Sequence, residues 1–519
     1  MQKLHPFLLS ALSGLLLYAA WPMSPFTFLI FVAFIPLLWL ERRGIRRRSF
    51  FGWVYLSMLI WNIGVTWWIW NSTGPGAAAA IMANSLLMCL PWLGFRWVRR
   101  SCGDAFGYLS LLVFWLSFEY LHLHNWGLSW PWLTLGNVFA THTGWVQWYE
   151  YTGTSGGGLW ILAANILLFQ LWISRRKRTL LIPTIIVIFL PLGFSALLGN
   201  HTPDKPTASI GVVLVQPNID PYGKLVAGSF EAQLQELIRL SESAIDSNTK
   251  LVVWPETAIF SDNGFIEDSL KENYFLNPLW AFLRRHPNIN LLTGIESLRI
   301  FTYKHSPTAL KIPNSKDYYE SYNEAIILDS SGPVSFYHKT MLVPGVETLP
   351  PFLHFLDSWF EKFGGTTAGY TGQADRTPLA TSDKGLVIAP SVCYESIYGE
   401  FMAGFVDNGA GLLAVITNDA WWGNTPGHLQ LENYARLRAI ETRRWVVRSA
   451  NTGISCFIDP AGMIVGSGPW EQPAVIRRQV PILQQLTFYT RYGDILSKII
   501  LALAAFLLAF TIIKRIRRG

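Results

Sequence analysis

Apolar residues cluster into blocks over the first two hundred positions and once more at the end, at about 6–22, 26–40, 50–70, 77–97, 105–121, 157–173, 180–198 and 497–513. A hydrocarbon core of ~30 Å takes about 20 helical residues to cross. The pattern therefore predicts eight transmembrane helices, seven in a membrane domain over 1–198 and one at 497–513. The block at 26–40 is short, and that at 105–121 carries Glu119 near one end. Between 207 and 490 the pattern changes to brief, near-continuous apolar runs alternating with amphipathic stretches. Runs at 210–216, 250–255, 290–295, 324–329, 385–390, 412–417 and 455–460 predict strands covered on both faces. Helices are predicted over 228–246, 275–285 and 429–445. In the first, Leu234, Leu237, Ile238 and Leu240 oppose Gln233, Glu236 and Arg239. This alternation predicts an α/β domain over 207–490.

Basic residues orient the chain. Lys3, Arg42, Arg43, Arg46, Arg47, Arg48, Arg96, Arg99, Arg100, Arg175, Arg176, Lys177, Arg178, Lys514, Arg515, Arg517 and Arg518 all fall at one set of helix ends. The loops 23–25, 71–76 and 121–156 hold neither Lys nor Arg. This positive-inside asymmetry predicts cytoplasmic N- and C-termini and a domain at 199–496 outside the cytoplasm. The net charge of +7 thus belongs to collars that face lipid headgroups, and nucleic acid is not an expected partner. Lys3 ahead of the first block resembles a signal-peptide start. No small-x-small cleavage site follows, so a retained helix is expected. Only Cys393 and Cys456 lie in the outer stretch, which is large enough to fold without a disulfide framework.

Three polar groups stand just past apolar runs in the outer stretch: Glu256 in LVVWPE, Lys339 in YHKTMLVP and Cys393 in LVIAPSVCYE. Open α/β sheets put reactive groups at strand ends, where the backbone leaves the core. A carboxylate partly withdrawn from water suits a general base. A thiol at the start of a helix, as YESIYGEF suggests, is favoured as thiolate. A lysine in a closed site can bind an oxyanion, and Glu347 eight residues on can hold it charged and oriented. The segment ITNDAWWGNTPG (416–427), with Asn418 at a turn, is placed to shape a pocket beside Cys393. Each residue also has a plainer reading, as a loop glutamate, a surface lysine, an inert buried cysteine or a turn asparagine. Cys456 sits inside an alternating strand and reads as core. In LPPFLHFLDSWFEKFGG, Phe352, Phe355, Leu356, Trp359, Phe360 and Phe363 recur at helical spacing, which suits either a lipid-dipping lid or a helix packed on the core.

Taken together and in this order, WPE, HK-x-x-LVP, and CYE followed by NDAWWG resemble the nitrilase superfamily. The resemblance implies an α-β-β-α sandwich with Glu256 as base, Lys339 as oxyanion-stabilising lysine and Cys393 as nucleophile. Such a domain between seven helices and a last one resembles the superfamily's membrane-embedded branch, the apolipoprotein N-acyltransferases. WPWLTLGN (130–137) and VQPNID (215–220) extend the resemblance over essentially the whole chain. It implies supporting roles for Glu347, Glu395 and Asn418, and no metal or cofactor. The expected donor is a phospholipid, phosphatidylethanolamine by preference, and the acceptor a diacylated apolipoprotein. The implied setting is a monomer in a bacterial inner membrane with a periplasmic catalytic domain. Val343-Pro344-Gly345-Val346-Glu347 departs from the family's usual VP-F-G-E, and PYGKLV (221–226) lacks the family's tryptophan. A membrane-tethered amidase, a transporter with an outer domain and a binding protein with an inert triad remain alternatives.

Overall fold

The computed structural model describes residues 4–124, 126–174, 177–199, 206–220, 230–261, 264–348 and 369–517. The chain separates into two compact units. One holds Met1–Trp70, Gly74–His201 and Tyr492–Gly519; the other holds Asn71–Thr73 and Thr202–Arg491.

The first unit is helical. Among the described residues, five helices are long and apolar enough to cross a membrane: Arg47–Asn71, Gly74–Cys102, Tyr149–Ile173, Arg178–Gly199 and Ile495–Ile516. Pro6–Ala20 is apolar but shorter. Asp104–His122 carries Asp104 and Glu119. Helix Ile495–Ile516 is capped by Asp494, whose Oδ1 accepts from the Ser497 N–H at 3.0 Å. It buries a stripe of Ser497, Ile500, Ala504, Leu507 and Thr511. Ile499, Leu503, Phe506 and Ile513 stay on its outer surface. Apolar side chains left outside a packed stripe suit a lipid surround.

The apolar block at 26–40 does not form one helix. It divides into a 3₁₀ turn, Thr27–Phe31, and a helix, Ile35–Arg42, only about 12 Å long at 1.5 Å per residue. Asn165 holds the break open, accepting from the Phe34 N–H at 2.9 Å and donating to the Ile30 carbonyl at 2.8 Å. Pro36 then starts the short helix. Glu119, buried, accepts from Trp115 Nε1 at 2.9 Å and from the Leu135 N–H at 2.8 Å. Its carboxylate thereby anchors the WPWLTLGN loop.

The second unit is a sandwich of two sheets. Its strands are β1 (Ala208–Gln216), β2 (Thr249–Val253), β3 (Phe265–Ile266), β4 (Asn290–Phe301), β5 (Leu310–Lys311), β6 (Tyr318–Asp329) and β7 (Gly332–His338). They continue with β8 (Leu379–Ala380), β9 (Val387–Val392), β10 (Leu412–Thr417), β11 (Val446–Ala450), β12 (Cys456–Ile458), β13 (Ile464–Ser467) and β14 (Ala474–Ile482). The first sheet runs β14-β1-β2-β4-β6-β5, with β3 on β4 and β7 on β6. The second runs β13-β12-β11-β10-β9-β8. Strands β1, β2 and β4 are mutually parallel, as are β9, β10 and β11. Alternation sorts each strand between two environments. Val213, Val215, Val252, Leu291, Ile326 and Leu328 pack under helices Phe230–Glu242 and Asn277–Arg285. The opposite face meets the second sheet, with β1 against β11 and β6 against β9. Helices Gly399–Asp407 and Pro426–Thr442 lie on β9 and β11. The result is the α-β-β-α sandwich. The predicted strands appear at β1, β2, β4, β6, β9, β10 and β12, but β4 ends six residues later and β6 begins six residues earlier than expected.

Candidate active site

Glu256, Lys339, Cys393 and Asn418 each follow the carboxyl end of a strand: β2, β7, β9 and β10. Two strands come from each sheet, so the site forms where the two sheets face each other. All four residues are buried.

Backbone geometry at Glu256 and Cys393 is unusual. Thr257, immediately after Glu256, has φ +47°, and Cys393 has φ +54°. Left-handed conformations cost a β-carbon residue about 1–3 kcal/mol and persist only where surroundings enforce them. At Glu256 the enforcement comes from Gly294 on β4. Its N–H donates to the Pro255 carbonyl at 3.1 Å, and a β-carbon there would lie 2.7 Å from Glu256 Cα. At Cys393 it comes from Glu395. Its Oε2 accepts from the Val392 N–H at 2.8 Å, while Oε1 accepts from Tyr337 Oη at 2.6 Å, the Thr340 N–H at 2.7 Å and the Met341 N–H at 3.1 Å. Glu395 thus ties the loop after Lys339 to the strand before Cys393. Burial pushes its carboxyl up to about 7, opposed by the Tyr337 and Val392 hydrogen bonds.

Lys339 Nζ donates to Glu347 Oε1 at 2.8 Å and lies 3.4 Å from Glu256 Oε1. Burial alone would lower this ammonium, but Glu347, Glu256 and Cys393 raise it above its ordinary value, so it stays charged. The altered spacing before Glu347 is absorbed locally. Gly345 takes φ +79°, the Gly345 N–H donates to the Thr348 carbonyl at 2.8 Å, and Glu347 Oε2 accepts from the Val343 N–H at 2.8 Å. Glu256 Oε2 accepts from the Asn418 main-chain N–H at 3.1 Å. Asn418 therefore contributes its backbone to the carboxylate, while its side chain caps the 3₁₀ turn Asp419–Trp422. Trp421, in that turn, is exposed.

Cys393 and Cys456 are both free thiols, and Cys456 is buried in β12. The expectation that a helix start favours the Cys393 thiolate does not hold. A short 3₁₀ turn, Cys393–Ile397, follows the thiol, and the α-helix begins only at Gly399. Burial first, then Glu256, push the thiol well above its ordinary value, with Lys339 and Thr417 opposing. A nucleophilic role for this sulfur would therefore need a base to take its proton.

Sequence reasoning missed Asn323 on β6. Its Nδ2 donates to Glu256 Oε1 at 2.8 Å and to Glu347 Oε1 at 3.2 Å. It also missed Arg448, whose Nη2 meets both oxygens of Asp419, at 2.9 and 2.8 Å, beside Asn418. Phe352, Phe355, Trp359 and Phe360 lie outside the described residues.

A family model for carbon-nitrogen hydrolases matches residues 211–484, and one for the apolipoprotein N-acyltransferase N-terminal domain matches residues 13–167. An apolipoprotein N-acyltransferase of Chlorobaculum tepidum is 30% identical over 518 residues, covering 97% of this chain and 96% of that relative. The chain belongs to the apolipoprotein N-acyltransferase family. Members of that family from Azotobacter vinelandii and Pseudomonas putida are 29% and 28% identical. They match over 89% and 93% of this chain and over 86% and 91% of their own lengths.

Proposed function

We propose that this chain transfers a fatty acyl group from the sn-1 ester of a phospholipid to the α-amine of a lipoprotein's S-diacylglyceryl cysteine. Cys393 is the nucleophile in this reading, Glu256 the base and Lys339 the oxyanion partner. Glu256 removes the thiol proton as sulfur attacks the ester carbonyl carbon. Lys339 stabilises the oxyanion. The acyl C–O bond then breaks, and the glyceryl oxygen leaves with the proton from Glu256 as a lysophospholipid. The acceptor amine attacks the thioester and yields its proton to Glu256. The C–S bond breaks, and the proton returns to sulfur. Glu347 and Asn323 hold Lys339 and Glu256 at their places throughout, and Glu395 holds the two catalytic segments together.

The observation that carries this reading is one ammonium bonded to two carboxylates at the strand ends beside a buried thiol, in a member of this family with membrane-length apolar helices. Phosphatidylethanolamine is the proposed donor, and the chain acts as a monomer without metal or cofactor. In the bacterial inner membrane it makes eight passes, the second built from the 3₁₀ turn and short helix at 27–42. Its domains are the membrane domain 1–198, the periplasmic catalytic domain 207–490 and the last helix, 497–513.

The test is intact mass spectrometry after incubation with phospholipid. An acyl-sized adduct is expected on the parent protein and on Cys456→Ala, and none on Cys393→Ala. An adduct that persists without Cys393 overturns the mechanism. A membrane-tethered amidase, by contrast, would be indifferent to phospholipid.

A further inference from the structure

On the helix-covered side of the same sheet lies a second set of ionisable groups. Glu324 and His338 are register partners on β6 and β7. Each adjoins a residue of the site, since Asn323 precedes Glu324 and Lys339 follows His338. The Lys339 N–H donates to the Asn323 carbonyl at 2.9 Å, closing the ladder between them. Alternation sends Ile326 and Leu328 into the core beneath the helices, and Glu324 extends that face as a wholly buried carboxylate. His338 Nε2 lies 2.8 Å from Glu267 Oε1 and 3.2 Å from Glu324 Oε2. Its ring stacks on Tyr322 at 3.9 Å, and its main-chain N–H donates to Gln373 Oε1 at 3.0 Å. Arg299 and Ser297 complete the surroundings, at 3.7 Å and 3.3 Å from Glu267. Burial alone would lower the imidazole, but Glu267, which accepts from its Nε2, and the nearby Glu324 carboxyl raise it to about 9. Burial pushes the Glu324 carboxyl up to about 7, opposed by His338.

A buried charge cluster is an expensive way to finish a strand, because apolar side chains of similar volume are commonly as stable there. Its placement supplies a reason. The two residues whose donors surround Glu256 are the backbone neighbours of the two residues joined by charge on the reverse face. We propose that His338, clamped between Glu267 and Glu324, is a positioning residue that fixes the ends of β6 and β7 so that Lys339 and Asn323 meet Glu256. The inference rests on the triad reading above. His338 touches no reacting atom and acts through the strand.

The test uses the full chain in lipid nanodiscs. It reads kcat and KM for acyl transfer to a diacylated lipopeptide, together with the pH dependence of Cys393 alkylation by iodoacetamide, followed by peptide mass. In His338→Gln, kcat is expected to fall ~10–100-fold with KM held within about twofold, the scale of a sub-ångström misplacement. The alkylation midpoint is expected to rise by about one pH unit as Lys339 withdraws from the thiol. Adding Glu324→Gln to His338→Gln removes the unpaired buried carboxylate, and is expected to recover thermal stability without recovering kcat. Recovery of kcat in step with stability, or an unchanged alkylation profile, overturns the proposal. Should His338→Gln not fold, Glu267→Gln keeps the Glu324–His338 pair and is read in the same way, with a smaller fall in kcat expected and wild-type kcat overturning the proposal. The two readings fail separately. An adduct on Cys393→Ala sinks the triad, whereas an adduct confined to Cys393 with wild-type kcat in His338→Gln sinks only the positioning role.

Discussion

Two carboxylates brought to one ammonium in a pocket withdrawn from water repel each other, and Asn323 answers part of that repulsion. Its single amide nitrogen donates to both Glu256 and Glu347, on the side of the carboxylates that Lys339 also bonds. Asn323→Asp is nearly isosteric but replaces the donors with a third carboxylate. Cys393 acylation in a single turnover is expected to fall ~100–1,000-fold, as for loss of a preorganised donor, with circular dichroism unchanged. A fall of less than about tenfold would show that Asn323 is not needed to hold the two acids. Its role was not legible in the sequence. In YESYNEAIILD it is one polar position on a strand, and its partner Glu256 lies 67 residues away. Glu256, Lys339 and Cys393 were legible as candidates because each ends or follows an apolar run, where the backbone leaves the core. The contribution of Asn418 was hidden for another reason. It is a main-chain N–H, which every residue type except proline owns.

At the scale of elements, a turn can bring a backbone donor to Glu256 only if something holds the turn. Arg448 on β11 does so from beneath, with no exposed surface, bonding both oxygens of a buried Asp419. Arg448→Met leaves that carboxylate buried without its counter-charge, and a cost of about 3–5 kcal/mol is expected in thermal or denaturant unfolding. Arg448→Met with Asp419→Asn removes both charges and is expected to recover most of the stability. Additive losses in the double variant would mean that the pair does not act as a unit. The predicted strands emerged near their expected places because a run of Val, Ile and Leu covered on both faces leaves few alternatives. The segment at 26–40 did not form its expected helix. Hydropathy registers how greasy the segment is, but not that Asn165, 131 residues beyond Phe34, satisfies the freed backbone groups at its break.

Across the whole molecule, charge decides which side of a membrane each loop occupies. Every Lys or Arg held near an anionic cytoplasmic leaflet is worth about 1 kcal/mol. The hydropathy pattern puts seventeen of the chain's 41 such residues at one expected set of helix ends, while the loops at 23–25, 71–76 and 121–156 have none. Moving those collars across would forfeit that attraction at every one of them. Arg48 and Lys316 are both exposed, one in the first turn of the helix Arg47–Thr66 and the other between β5 and β6. Arg48→Cys and Lys316→Cys, each made separately, report on the two sides through a membrane-impermeant maleimide. On intact spheroplasts Lys316→Cys is expected to label and Arg48→Cys to remain unlabelled until the cells are lysed. The reverse pattern would put the thiol and its two carboxylates in the cytoplasm, away from a periplasmic lipoprotein amine. Labelling of both positions on intact cells would instead rule out the odd number of passes expected between them. Either result would break the link between the basic collars and the proposed reaction while leaving the geometry of Glu256, Lys339 and Cys393 untouched.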